Sequence, residues 1–260
     1  MTTLTLLVKA SNLGQVKQID ELLKMQFEEL DVEVKVLSTS ANRWVQVSLS
    51  GEDEAIAASY INKKIGTCPT SLENAKNYPV LRGYISKVDL TRQEIIVDVG
   101  IFEPKVVSAT VSLPRLQAQL FEGKGTDLKK IVETYALAER LPLSIKPVSP
   151  ITEETEGLQA ELSLEQVEKL HSWQQSLLDR LIILGASKET IESVLERTRL
   201  TRDVIDVEAL GMFEYALTCK LGTNAAGLVG IMGRYLRGSV FVVFNAKRSF
   251  DLLSEHTLTL

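Results

Sequence analysis

Cysteine and histidine are scarce in this sequence, which excludes several kinds of site. Only two cysteines, Cys68 and Cys219, and two histidines, His171 and His256, occur in 260 residues. Two cysteines are too few for a framework of disulfides and are typical of reduced thiols in the cytoplasm. Neither histidine has cysteine or carboxylate neighbours at the spacing of a zinc site. We therefore expect neither a metal nor a cofactor.

Segments for export, membrane insertion and catalysis are lacking as well. No apolar run approaches the roughly 20 residues of a membrane span. The first residues, MTTLTLLVKASN, lack the basic segment that opens a signal peptide. No nucleophile elbow, zinc-protease motif or phosphate-binding glycine loop is present. The sequence favours a cytoplasmic protein without a membrane partner, which binds something and has no catalytic residues.

Basic residues do not predominate, since the formal net charge is −5. This argues against a general nucleic-acid binder, because contacts to phosphate need a basic surface. The acidity is concentrated in residues 151–196, which carry three basic and ten acidic side chains. The other segments are close to neutral, so a local basic surface remains compatible with the composition.

Hydrophobic periodicity predicts a multidomain α+β protein with three small modules. Residues 1–67 show the order β-α-β-β-α of a split β-α-β unit. Residues 79–149 contain short strands and inserted helices, which are typical of an OB-like β-barrel. Residues 160–260 are predicted to form a helical hairpin followed by a β-α-β unit.

The helical hairpin is predicted from its caps. Ser163 and Gln166 form a capping box before a long helix that runs to Leu184 and stops at Gly185. A second helix follows over 188–198. The hairpin, residues 160–198, is acidic and carries Trp173, so it is a candidate surface for a protein partner. The linker before it carries the acidic residues Glu153, Glu154 and Glu156.

The segments Gly83-Tyr84-Ile85 and Val97-Asp98-Val99-Gly100-Ile101-Phe102 resemble the OB-type barrel of ribosomal small-subunit protein one. The resemblance implies that exposed aromatic rings stack on bases while basic groups hold phosphates. The matching residues here are Tyr84, Lys87, Arg92, Phe102 and Lys105. The alternative is that the two rings are core residues.

Two further basic clusters occur in the last third of the chain, and guanidinium groups suit phosphate recognition. The first cluster comprises Arg197, Arg199 and Arg202. The second comprises Arg234, Arg237, Lys247 and Arg248. The alternative is a solvated surface, paired with Glu196, Asp203, Asp206 and Glu208.

The junction between the predicted strand 212–220 and the next helix is a candidate anion site. Free N–H groups at the start of a helix favour anions. The candidate ligands are Lys220, Gly222, Thr223 and Asn224. A plain tight turn is the alternative. Gly227, Gly230 and Gly233 follow, and they indicate close packing on a sheet or close approach of a nucleic-acid backbone.

Three stretches together resemble an archaeal family of uncharacterised proteins that is known as a domain of unknown function. They are Arg43–Glu54, Leu195–Glu208 and Cys219–Thr223. This resemblance implies a cytoplasmic location and no particular activity. A looser architectural similarity is to the α subunit of archaeal translation initiation factor two.

These observations favour an RNA-binding or ribosome-associated protein that acts in translation. Two alternatives remain open at this point. One is a protein–protein adaptor that uses the acidic hairpin, and the other is an enzyme that binds a phosphorylated small molecule at residues 220–227.

Overall fold

A computed structural model describes residues 1–39, 41–152 and 157–254 of the chain. Within them the protein is a mixed α+β fold with a three-stranded, a six-stranded and a four-stranded sheet. The predicted α+β class is confirmed. The acidic linker residues Glu153, Glu154 and Glu156, and also His256, lie outside the described residues.

The first sheet is antiparallel and has the strand order β1-β3-β2. Its elements are β1 (Thr2–Lys9), α1 (Leu13–Gln26), β2 (Glu33–Thr39), β3 (Trp44–Ser50) and α2 (Glu54–Lys64). Alternating side chains of the strands face the helices, so that Leu6, Val47 and Leu49 pack against Ile19 and Ile61. This is the β-α-β-β-α order expected for this part of the chain.

The second sheet contains a closed barrel of five strands. These are β5 (Leu81–Asp89), β6 (Glu94–Glu103), β7 (Val107–Ser112), β8 (Pro142–Pro147) and β9 (Leu158–Leu162). Closure follows because β5 pairs with both β6 and β8, β6 pairs with β7, and β9 joins β7 to β8. The strand β9 lies beyond the segment 79–149 that was expected to supply the barrel.

Helices enter the barrel sequence where they were expected. Between β7 and β8 the chain forms α4 (Leu113–Leu120) and α5 (Leu128–Tyr135), which cover the interior with Leu116, Ile131 and Tyr135. A short strand, β4 (Thr70–Ser71), pairs with β6 and is not one of the five barrel strands. The one-turn helix α3 (Leu72–Ala75) follows it.

The predicted helical hairpin over residues 160–198 is wrong. The first helix, α6 (Leu164–Gln175), ends early, and β10 (Arg180–Leu184) follows it before α7 (Lys188–Thr198). All five residues of β10 are buried, so this strand shows no alternation that would separate it from a helix. The predicted start at Ser163 and the helix over 188–198 are confirmed.

The strand, helix and strand predicted near the C-terminus are present, but another strand lies between the two strands in the sheet. The elements are β11 (Val204–Ala209), β12 (Glu214–Cys219), α8 (Ala225–Met232), β13 (Val240–Phe244) and α9 (Ala246–Ser254). The strand order is β11-β12-β10-β13, and β10 is antiparallel to both of its neighbours. The strands β12 and β13 are therefore parallel to each other across β10.

Both faces of this third sheet are covered. Leu181 and Ile183 pack with residues of α7 and α8. On the other face, Ile182, Leu184 and Phe244 belong to the same core as the barrel. Within the part of the chain described, none of the helices has the length and apolarity that crossing a bilayer requires.

We expect Gly100→Ala to destabilise the protein much more than Gly123→Ala. Both glycines have a left-handed φ, +78° and +76°, so both substitutions share the cost of backbone strain. A methyl group on Gly100 would lie 2.5 Å from Cβ of Cys68, whereas nothing lies within 4 Å at Gly123. Overpacking of this kind adds about 1–3 kcal/mol. Urea denaturation measures the free energy of unfolding of each variant. Equal decreases in the two variants would show that the site around Gly100 is loosely packed.

Candidate functional site

A buried carboxylate joins the first sheet to the barrel. Asp98 on β6 accepts a hydrogen bond from Nζ of Lys9 at 2.5 Å and another from Nε1 of Trp44 at 3.1 Å. The side chain of Asp98 is only 3% exposed. The Lys9 ammonium also lies 4.7 Å from the centroid of the Trp44 ring. The Lys9–Asp98 ion pair and the contacts of Trp44 together hold the first sheet against the outer side of β5 and β6.

Tyr84 lies inside this junction, so the expectation that it is an exposed stacking ring is wrong. It is 4% exposed, and its ring meets Trp44 edge-on at a centroid distance of 5.5 Å. The physical reason is that the first sheet covers the outer surface of β5 where Tyr84 projects. Phe102 is half-buried and packs against the same cluster of rings. The alternative of a core role therefore holds for Tyr84.

Glu214 connects the same cluster to the third sheet. Its carboxylate accepts hydrogen bonds from the hydroxyl of Tyr84 and the backbone N–H of Phe213, both at 3.3 Å. Burial raises the pKa of Glu214 to about 7, although both hydrogen bonds and the charge of Arg140 act in the opposite direction. A single hydrogen-bonded cluster thus touches all three sheets.

The basic residues expected on the barrel are exposed, but they do not gather around a ring. Lys87 forms an ion pair with Asp89 at 2.7 Å, and Arg92 lies 3.9 Å from Glu94. Both partners are two residues further along the same hairpin. Lys105 is exposed in the loop between β6 and β7 and forms no ion pair with a described residue. A role for these three side chains in nucleic-acid binding stays a prediction.

The candidate anion site before α8 is occupied by the chain's own groups. The side chain of Asn224 accepts from the N–H of Ala226 at 2.8 Å, and the carboxylate of Asp179 accepts from the N–H of Ala225 at 3.4 Å. Lys220, Gly222 and Thr223 form the turn that leads to these residues. The donors that a bound anion would use at this helix start are therefore already satisfied.

An arginine lies over an exposed ring just beyond the end of α8. The guanidinium of Arg197, near the end of α7, lies 5.0 Å from the ring centroid of Tyr235, which is 44% exposed. Arg234 and Arg237 flank Tyr235 in the chain and are exposed. We call the following residues the arginine patch: Arg197, Arg199, Arg234, Tyr235 and Arg237.

Few acidic groups neutralise the arginine patch. Arg199, Arg234 and Arg237 make no ion pair with any residue in the described ranges, and the exposed Glu196 precedes Arg197 in the chain. Arg202, which was grouped with Arg197 and Arg199, is instead 3.5 Å from Asp203. Arg197 of the first predicted cluster thus contacts Tyr235, which stands in the chain between Arg234 and Arg237 of the second.

The surface of α8 next to the arginine patch is open and uncharged. A methyl group built on Gly227 or Gly230 would have nothing within 4 Å, while Leu228 between them is buried. Packing on the sheet therefore does not explain these two glycines, although Gly233 does lie close to Phe241. The sequence analysis missed Tyr235, and the run Arg234-Tyr235-Leu236-Arg237 was the signal for it.

The segment considered for a protein partner does not present its tryptophan. Trp173 is 4% exposed, and its Nε1 donates to Glu208 at 3.0 Å. The charged heads of Lys169 and Arg180 lie 5.8 Å and 5.2 Å from its ring. The ring is therefore part of the packing between α6 and the third sheet.

Titratable groups that could support metal or thiol chemistry are dispersed or buried. Among the described residues, no three His, Cys, Asp or Glu side chains lie close enough together to hold a metal ion. Burial raises the pKa of Cys219 to about 11 and that of Cys68 well above its usual range. Both thiols therefore stay protonated at neutral pH, and a protonated thiol is a poor nucleophile.

Family models match three consecutive parts of the chain. The DUF2110 N-terminal domain matches residues 5–71, the DUF2110 central domain matches residues 75–174, and the DUF2110 C-terminal domain matches residues 178–244. No curated protein matches the chain. Apart from β4 and the start of β1, the strands of each sheet lie in a different one of the three matched segments.

We expect Glu214 to make the protein less stable as the pH rises from about 4.5 to about 7. The pKa of this carboxyl is 4.5 when unperturbed and about 7 in the fold, so in this window the folded state binds more protons. The free energy of unfolding is expected to fall by roughly 3 kcal/mol across this pH range. Urea denaturation across this pH range should show the loss in the natural protein and a flatter profile in Glu214→Gln, which stays uncharged. Parallel profiles would contradict the raised pKa.

Proposed function

The chain belongs to the DUF2110 family, and within that family we propose that it binds RNA through the arginine patch. The observation that carries the proposal is the stacking of Arg197 on the exposed ring of Tyr235, whose exposed neighbours along the chain include Arg234 and Arg237. Exposed rings accept a base by stacking, and arginines hold the phosphates on either side of it.

The geometry of α8 supports the same proposal. A polynucleotide that stacks on Tyr235 has to pass close to the neighbouring helix surface. At Gly227 and Gly230 no side chain stands in the way, and no acidic residue occurs in α8 to repel phosphate. Glycines that permit such an approach are also used by the Gly-x-x-Gly loop of KH domains, although there they lie in a loop.

The barrel contributes less to this proposal than the sequence analysis expected. A five-stranded barrel is the architecture of OB folds, which bind oligonucleotides on their second and third strands. The corresponding strands here are β6 and β7, whose outer residues include the half-buried Ser108, Thr110 and Ser112. Hydroxyl groups can donate to phosphate, but these positions supply neither ring nor cation.

The ribosome is the specific target that we propose for this surface. Single-stranded loops of ribosomal RNA offer the unstacked bases and closely spaced phosphates that such a patch would bind. A small patch on an otherwise acidic protein fits one restricted contact on a large RNA better than wrapping of a long strand.

We expect the triple variant Arg197→Ala, Arg234→Ala, Arg237→Ala to bind a mixed-sequence single-stranded RNA more than about tenfold more weakly at low salt. The physical reason is the loss of three cationic contacts to phosphate. The slope of log Kd against log salt concentration should fall by about 2. Filter binding between low and moderate salt concentrations measures both quantities.

A matched control removes three exposed lysines of the first sheet and its helices, Lys17, Lys24 and Lys35. It lowers the net charge by the same amount while leaving the patch intact. Equal weakening in the control and the patch variant would mean that only overall charge matters. An absence of RNA binding by the natural protein at low salt would refute the proposed function.

A further inference from the structure

A cavity lies where the three sheets meet. Its volume is about 550 Å³, which is within the range of pockets for small ligands. The walls come from β1 and α2 of the first sheet, β5 and β8 of the barrel, α6, and the turn between β11 and β12. Ligand pockets occur preferentially at such junctions between structural units.

The cavity combines apolar walls with cationic groups. Leu7, Leu143 and Leu170 are among its apolar residues, and the rings of Tyr60 and Trp173 also line it. Three cationic side chains, Lys64, Arg82 and Lys169, reach it from three different elements. Glu165 is the acidic residue in the lining.

Two of these cations lack a partner among the residues that the structure describes. Lys169 is held by Glu208 at 2.7 Å. The side chains of Lys64 and Arg82 have no ion pair or hydrogen bond with any residue of the ranges 1–39, 41–152 and 157–254, and both residues are exposed. Uncompensated positive charge in a concave site attracts anions more strongly than the same charge on a flat surface.

We infer that this cavity binds a small organic anion that carries a planar ring, such as a nucleoside monophosphate. The charged group of the ligand contacts Arg82 and Lys64, because no described residue serves as their counter-ion. Its ring lies against the apolar side of the cavity near Tyr60 and Trp173. Ser144 and Gln166, which also line the cavity, supply polar contacts at the edge of the ring.

This site is separate in its residues from the arginine patch and does not depend on the proposed RNA binding. A free nucleotide that fills the cavity would lie between the first sheet and the barrel, since both contribute walls. Binding would therefore strengthen the contact between these two parts and raise the thermal stability of the whole protein.

Isothermal titration of the full chain with adenosine monophosphate, and separately with inorganic phosphate, tests the inference. We expect saturable binding of the nucleotide, weaker binding of phosphate, and competition between the two. The variants Arg82→Ala and Lys64→Ala should each weaken nucleotide binding by about tenfold or more. Their melting temperatures without ligand establish that they are folded.

The neighbouring residue provides a matched control. Lys63 is exposed on the same helix as Lys64 but does not line the cavity, so Lys63→Ala should leave nucleotide binding unchanged. The inference is overturned if the natural protein binds no nucleotide, or if Lys63→Ala weakens binding as much as Lys64→Ala. Equal affinity for phosphate and nucleotide would show that the planar ring of the ligand contributes nothing to binding, which would contradict that part of the inference.

Discussion

The arrangement of this protein depends on the burial of the Asp98 carboxylate between the barrel and the first sheet. A carboxylate is expensive to remove from water unless its charge is paired and its oxygens are hydrogen-bonded. Lys9 supplies the charge, and Trp44 and the N–H of Gly100 supply two hydrogen bonds. Since all of these donors must be present at once, the first sheet has one favourable position on β5 and β6.

That position determines which surfaces remain available for a partner. The first sheet covers Tyr84, the ring that the barrel would otherwise present to a base. The third sheet is covered on both faces, because its strands share one core with α7 and α8 and another with the barrel. The surfaces that stay open include the outer side of α8, the arginine patch next to it, and the cavity at the junction of the three sheets.

Local patterns in the sequence predicted much of the fold. The alternation of Val32, Val34 and Val36, the capping residue Ser187 and the turn before Asn224 each correspond to elements that form where expected. The strand β10 was missed because a strand buried on both faces has no period of two.

The site was less predictable than the fold, because its contacts join distant parts of the chain. The pairing of Trp44 with Asp98 spans 54 residues, and that of Tyr84 with Glu214 spans 130. No spacing rule relates such residues. Arg197 and Tyr235 likewise meet only because α7 and α8 pack side by side on one face of the sheet.

The central claim is that the first sheet covers the outer surface of the barrel that carries Tyr84. RNA therefore contacts the arginine patch and the outer side of α8. Photo-crosslinking with RNA that contains thiouridine, followed by mass spectrometry of the attached peptides, tests it most directly. The account predicts that the crosslinked peptides come from the segment 225–237, which contains Tyr235. Crosslinks confined to barrel residues around Lys87 and Arg92, with none near Tyr235, would contradict it.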